Sequence, residues 1–200
     1  MFYDTRKNDH GLPHNPFKAI VTPRPIGWIT TMSAKGEVNL APYSFFNGIT
    51  DKPPIVMFSS EGPKDSVAFA EETKEFVCSL ATFDLRDQMN GTSAPLPRGA
   101  SEFQATGLEA APSRLVKPPR VAASPCALEC KLIRIVAMET ADGQPIDCHV
   151  VFGQVVGVHI DDRFIVDGVL DTAAMKPIAR CGYDQYAVVE SVFSMIRPSA

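Results

Sequence analysis

The stretch "NLAPYSFF", Asn39 to Phe46, begins on a strand pattern and then departs from it. Pro42 supplies no backbone N–H, so it is expected to end the ladder and free the neighbouring backbone groups. Two polar side chains and two adjacent phenylalanines follow. Upstream, "AIVTPRPIGWITTMS" is β-branched, and "SAKGEV" reads as a hairpin turn with Gly36 at positive φ. Downstream, "PPIVMFSS" is apolar enough for a strand buried on both faces.

The same alternation recurs further along. "EFVCSLAT" places Phe76, Cys78 and Leu80 on one face, and "CALECKLIRIVAME" gives Leu128, Cys130, Leu132 and Arg134 one parity. "CHVVFGQVVGVHID" carries Gly153 and Gly157 inside a strand, the mark of a bulge, a barrel bend or a close backbone approach. "KDSVAFAEETKEF" changes period and suggests a short helix capped by Asp65 or Ser66. With 17 prolines punctuating 200 residues, short strands are favoured over long helices. The expected fold is mainly β, a closed or nearly closed antiparallel barrel with a few short helices, in one domain over 1–200. Residues 84–118 form an excursion over the surface, a lid or a dimer contact.

Composition excludes several functions. The net charge of −4, without a long basic run, argues against nucleic acid as a partner. No apolar run reaches the roughly 20 residues that cross a bilayer, and the polar N-terminus lacks a signal segment, so no membrane role and a cytoplasmic location are expected. Five cysteines, an odd number, indicate buried small hydrophobes rather than a disulfide framework or a metal site. No Rossmann or Walker fingerprint and no nucleophile elbow occur.

One constellation does point to a ligand. In "FSSEGPKDS" a strand ends in two hydroxyls, then a turn leads to Lys64 and to a helix start at Asp65 and Ser66. A helix N-terminus with hydroxyls and a lysine can cradle a phosphate. Trp28, the aromatics of "NLAPYSFF" and this cradle fall within about forty residues and suit a flat, phosphorylated heterocycle. Flavin mononucleotide (FMN) and pyridoxal phosphate both fit. The latter needs a Schiff-base lysine, whereas Lys64 already has the phosphate role.

"RPIGWITT…NLAPYSFFNGITDKPPIVMFSS…KDS…EFVCSL" resembles the flavin reductase-like family of FMN-binding split-barrel proteins, of the nitrilotriacetate monooxygenase component B type. The likeness is strongest over residues 20–80 and continues through "HVVFGQVV" and "PIARCGYDQY". It implies a Greek-key-like split barrel, a homodimer, and FMN near the subunit interface. Carried over, Arg24, Pro25, Ile26, Gly27, Trp28, Thr30 and Thr31 would line the flavin site from one strand. Ala41, Pro42, Tyr43, Ser44 and Phe45 would pass along the ring. Ser59, Ser60, Lys64, Asp65 and Ser66 would sit by the phosphate. His149 matches a recurrent "H-x-x-x-G" and would be the catalytic side chain near the nicotinamide; Arg180 and Tyr186 match a less constant tail. Trp28 and the aromatics at 43–46 are bulkier than is common in the family, which bears on how open the flavin face is. The resemblance implies NAD(P)H:FMN oxidoreduction, with a monooxygenase as the partner it suggests; the alternative is an FMN carrier without nicotinamide chemistry.

Overall fold

A computed structural model of the chain describes residues 1–62, 64–97 and 99–198. In chain order the elements are α1 (Phe17–Ile20), β1 (Arg24–Pro25), β2 (Gly27–Met32), β3 (Val38–Tyr43), β4 (Phe46–Asp51) and β5 (Pro54–Glu61). Next come α2 (Asp65–Thr73), β6 (Glu75–Leu80), α3 (Arg86–Gly91), α4 (Glu102–Thr106), β7 (Ala110–Ala111) and β8 (Arg120–Val121). The last are β9 (Cys126–Glu139), β10 (Pro145–Ile160), β11 (Ile165–Val166), β12 (Val169–Leu170), β13 (Ile178–Arg180) and β14 (Tyr186–Val188).

Seven strands form one antiparallel sheet in the order β3-β2-β6-β9-β10-β5-β4. Its two edges, β3 and β4, are joined by only Ser44 and Phe45. So short a link forces the edges together, and the sheet must curl into a barrel that stays split between them. A contact crosses the split: the Tyr43 and Phe58 rings lie 4.9 Å apart, while Ser59 N–H donates to the Phe45 carbonyl at 2.9 Å and carries the β4–β5 ladder one step into the link. Gly27 is part of this seam, because a Cβ there would stand 2.5 Å from the Phe46 ring.

The barrel interior is filled by Ile29, Phe58, Phe76, Cys78, Cys130 and Val151. Burial pushes the Cys78 thiol up to about 12, as suits a small hydrophobe. Trp28 and Leu40 point the other way, into a second core with Met89, Phe103, Val121 and Ile178. The excursion after residue 84 therefore supplies buried side chains that close the outer face of β2.

Several sequence expectations change. Pro42 does not end β3; it pairs in register with Trp28, and pairing runs on to Tyr43. As β3 is an edge strand, the missing N–H costs no ladder bond. Helix α2 is N-capped by Lys64, with Asp65 and Ser66 already inside it. Strand β5 alternates buried Val56, Phe58 and Ser60 with more exposed neighbours, so only one of its faces is fully buried. Arg134 leaves the core face, and Ile135 takes its place. The cause is a bulge: Phe152 pairs with Arg134 but Gly153 pairs with Leu132, so one extra β9 residue reverses the parity. Gly153 must lack a side chain, since a Cβ would lie 2.3 Å from the buried Phe76 ring.

Two buried carboxylates anchor the loop before β8. Glu129 accepts from the backbone N–H groups of Arg114 (2.7 Å), Leu115 (2.6 Å) and Val116 (3.1 Å). His159 Nε2 lies 2.5 Å from Oε1, the oxygen that also accepts from Arg114. Glu75 accepts from Lys117 N–H at 2.7 Å and pairs with Lys131.

Candidate functional site

Two grooves open along the β3 edge and share Pro42 and Ser93. The first, about 500 Å3, runs from Asn39, Ala41 and Tyr43 to Lys64, Asp65 and Ser66, and residues 92–97 form its far wall. The second, about 530 Å3, has Arg24, Ile26, Pro42 and Ser44 on one side. Residues of the N-terminal arm and of the β13–β14 turn close it opposite.

At the Lys64 end of the first groove, the Lys64 side chain makes no capping bond to α2. The N-cap residue itself therefore gives the positive end of the helix no side-chain oxygen. Ser66 is almost fully buried, and its Oγ accepts from Asn39 Nδ2 at 2.7 Å. The buried Tyr43 hydroxyl bonds to Ser66 and Ser60; burial raises its pKa and those hydroxyls oppose the rise. Two of the acids in this groove are engaged elsewhere, Glu102 with Leu40 N–H at 3.1 Å and Glu37 with Ser33 Oγ at 3.0 Å.

The residues expected from sequence divide between these walls and the interior. Arg24, Ile26, Ala41, Pro42, Tyr43, Ser44, Lys64, Asp65 and Ser66 line one groove or the other. Pro25 faces a separate apolar cavity. Gly27, Trp28, Thr30, Thr31, Phe45, Ser59 and Ser60 line neither groove. Trp28, Thr30 and Thr31 are fully buried; the Thr30 and Thr31 hydroxyls have no partner, while Trp28 Nε1 donates to Thr92 Oγ1 at 2.9 Å. The Phe45 ring lies 5.5 Å from the Arg24 guanidinium carbon and 6.0 Å from Lys18 Nζ. Arg24 itself is buried. It donates to the carbonyls of Lys18 (2.5 Å), Val21 and Cys181 (2.9 Å) and keeps an unpartnered Nε.

His149 is half-buried on β10, directly across from Ser60 on β5, so the two share a face of the sheet. Its Nδ1 is buried without a partner, and it lines neither groove. Arg180 and Tyr186 meet in the second groove, with Arg180 donating to the Tyr186 hydroxyl at 2.6 Å. Sequence reasoning passed over Asn39 as a site residue, although an amide in the first quoted position is a ready hydroxyl donor. It also passed over the wall at 92–97, whose Ser-Ala-Pro-Leu-Pro run carries no ligand signature.

The chain belongs to the flavin reductase-like domain family, whose family model matches residues 20–170. It is 34% identical to the Bacillus subtilis protein YwrF over 186 residues, 90% of each chain. Among solved structures, nitrilotriacetate monooxygenase component B from Bacillus cereus superposes with a TM-score of 0.89 at 26% identity, over 98% of both chains. A protein with a split-barrel domain from Shewanella frigidimarina gives 0.82 at 22% identity, over 98% and 94% of the two chains. The split barrel deduced from the short β3–β4 link is the architecture of this family.

Proposed function

We propose that the protein is an NAD(P)H-dependent FMN reductase, working as a homodimer. The observation that carries the reading is the start of α2, with Lys64, Ser66 and Asn39, beside the edge strand β3 in one groove. That donor set suits a phosphate, and backbone at an edge strand suits the polar rim of a flat ring. Bound FMN would supply hydride transfer at N5. The chain's own part is positioning. Lys64 offsets phosphate charge, Asn39 fixes the Ser66 hydroxyl, and the Ala41–Phe45 backbone offers its polar groups to the ring edge. His149, with an unpartnered buried Nδ1 beside Ser60, holds a proton near the site. Trp28 does not narrow the groove, because its ring lies in the second core. The likeness to a monooxygenase component B supports a role as the reductase half of a two-component system.

Protein incubated with FMN is expected to bind it and absorb near ~450 nm, and anaerobic NADH or NADPH is expected to bleach that band. Protein that ignores FMN overturns the reading; a yellow protein that neither nucleotide bleaches is a carrier. Lys64→Ala is expected to weaken FMN binding by about 1.5–3 kcal/mol, the value of a charge-assisted bond, in fluorescence titration. Unchanged affinity would remove Lys64 from the phosphate site. In stopped-flow, His149→Ala is expected to slow flavin reduction by more than it weakens FMN binding; equal rates would make His149 structural.

A further inference from the structure

Half of the described residues lining the second groove lie outside the family match. That match stops at residues 20 and 170. One wall of the groove comes from His14 and Lys18 before it, and another from Arg180, Tyr183 and Tyr186 after it. These two ends are fixed against each other. The Arg24 guanidinium bridges the carbonyls of Lys18 and Cys181. Ala19 packs so tightly on the 182–183 turn that a Cβ at Gly182 would stand 2.4 Å from its own. The His14 and Tyr183 rings are 5.5 Å apart. A wall assembled from both termini and pinned by a buried arginine is a built feature rather than loose chain.

Its chemistry is specific. Among the described lining residues, Lys18, Arg24 and Arg180 bring three cations, with His14 beside them, and Asp184 is the one carboxylate. Asp184 is fully exposed and 3.4 Å from Arg180, so solvent screens it and one cation already answers it. Arg24 retains a buried donor without a partner. The Tyr186 ring is stacked by the Arg180 guanidinium at 4.6 Å, and Tyr183 stands beside it. Cations and flat aromatic surfaces therefore occupy one cavity of about 530 Å3, ending at Pro42 and Ser44 on the barrel seam.

We propose that this cavity binds a small planar carboxylate, an aromatic or conjugated acid, and presents it to the seam. A neutral ring would leave the cations unanswered. A nicotinamide nucleotide carries its charges a ribose away from its ring, whereas here charge and ring surface share one cavity. Only the role of this acid as the partner of a bound flavin rests on the function proposed above; its binding does not.

Calorimetric titration of the full chain, with and without FMN, compares benzoate with its neutral isostere benzamide. Benzoate is expected to bind at least about tenfold more tightly, the value of one charge-assisted contact. Lys18→Met, on the exposed face of the arm, is expected to remove most of that preference while FMN affinity stays as in the parent. Arg180→Gln is expected to do the same, and circular dichroism checks that its β13–β14 turn is intact. Equal affinity for benzoate and benzamide, or a preference that Lys18→Met leaves unchanged, overturns the assignment. Benzoate binding in a protein that refuses FMN would sink the flavin reading and leave this site standing.

Discussion

Glu129→Ala is expected to lower the free energy of unfolding by about 4 kcal/mol in a urea titration. The side chain is almost fully buried and is the acceptor for three consecutive backbone N–H groups, those of Arg114, Leu115 and Val116. Truncation leaves these donors without an acceptor and His159 without its carboxylate, and each orphaned buried group costs about 1–3 kcal/mol. Glu129→Gln keeps the shape and one acceptor oxygen, so about half of that loss is expected. If Glu129→Ala loses under about 1 kcal/mol, water replaces the carboxylate and the loop is not anchored by it.

The same residue sets an acid limit. Burial alone would raise the Glu129 pKa; the Arg114 N–H, the His159 ring and the Leu115 N–H outweigh it, and the net direction is downward. Glu75 moves the same way: burial would raise it, and the Lys131 ammonium with the Lys117 N–H outweighs that. A carboxyl whose folded pKa lies below its unfolded one contributes fully above the unfolded value, about 4.3 for glutamate. That stability is lost as pH falls through the folded value. Urea midpoints are expected to drop below about pH 4.5 in the parent and to change less in Glu129→Gln.

These anchors show why part of the molecule was hidden in its sequence. Strand periods and the Gly36 turn were legible because each depends on neighbours one to four residues away, whereas Gly153 only narrowed to three alternatives until Phe76 was seen against it. Glu129 lies among β9 residues as an ordinary polar position, and its value comes from a loop fifteen residues upstream in the chain. Pro42 misled for a related reason. Proline forbids a central strand but not an edge, and edge status depends on a sheet order that closes through β9 and β10. Arg134 was misplaced because a bulge shifts every later residue of β9 by one, and alternation alone does not reveal the shift. Lys64, Asp65 and Ser66 were readable as one cluster because they are consecutive in the chain, and they line one groove. The second groove was not, since its walls stand more than 160 residues apart, as His14 and Tyr183 do.

Trp28→Ala is expected to cost about 4 kcal/mol and, unlike Glu129→Ala, to disturb the first groove as well. Trp28 is fully buried among Leu40, Met89, Phe103 and Val121, so truncation opens a cavity between β2 and the helices after residue 84. Its Nε1 donates to Thr92 Oγ1, which in turn donates to the Met89 carbonyl at 2.7 Å. Thr92 begins the groove wall that runs to Pro97. Trp28 therefore acts on the groove through Thr92 without touching it. Trp28→Phe fills most of the volume and loses the hydrogen bond, so a smaller loss of about 1–2 kcal/mol is expected. Thr92→Val is expected to lose a similar amount, and the double substitution less than the sum, since both remove one contact. FMN titration of Trp28→Phe carries the functional half: weaker binding with most of the stability kept places the indole N–H in control of the wall. Parent-like affinity would confine Trp28 to the core.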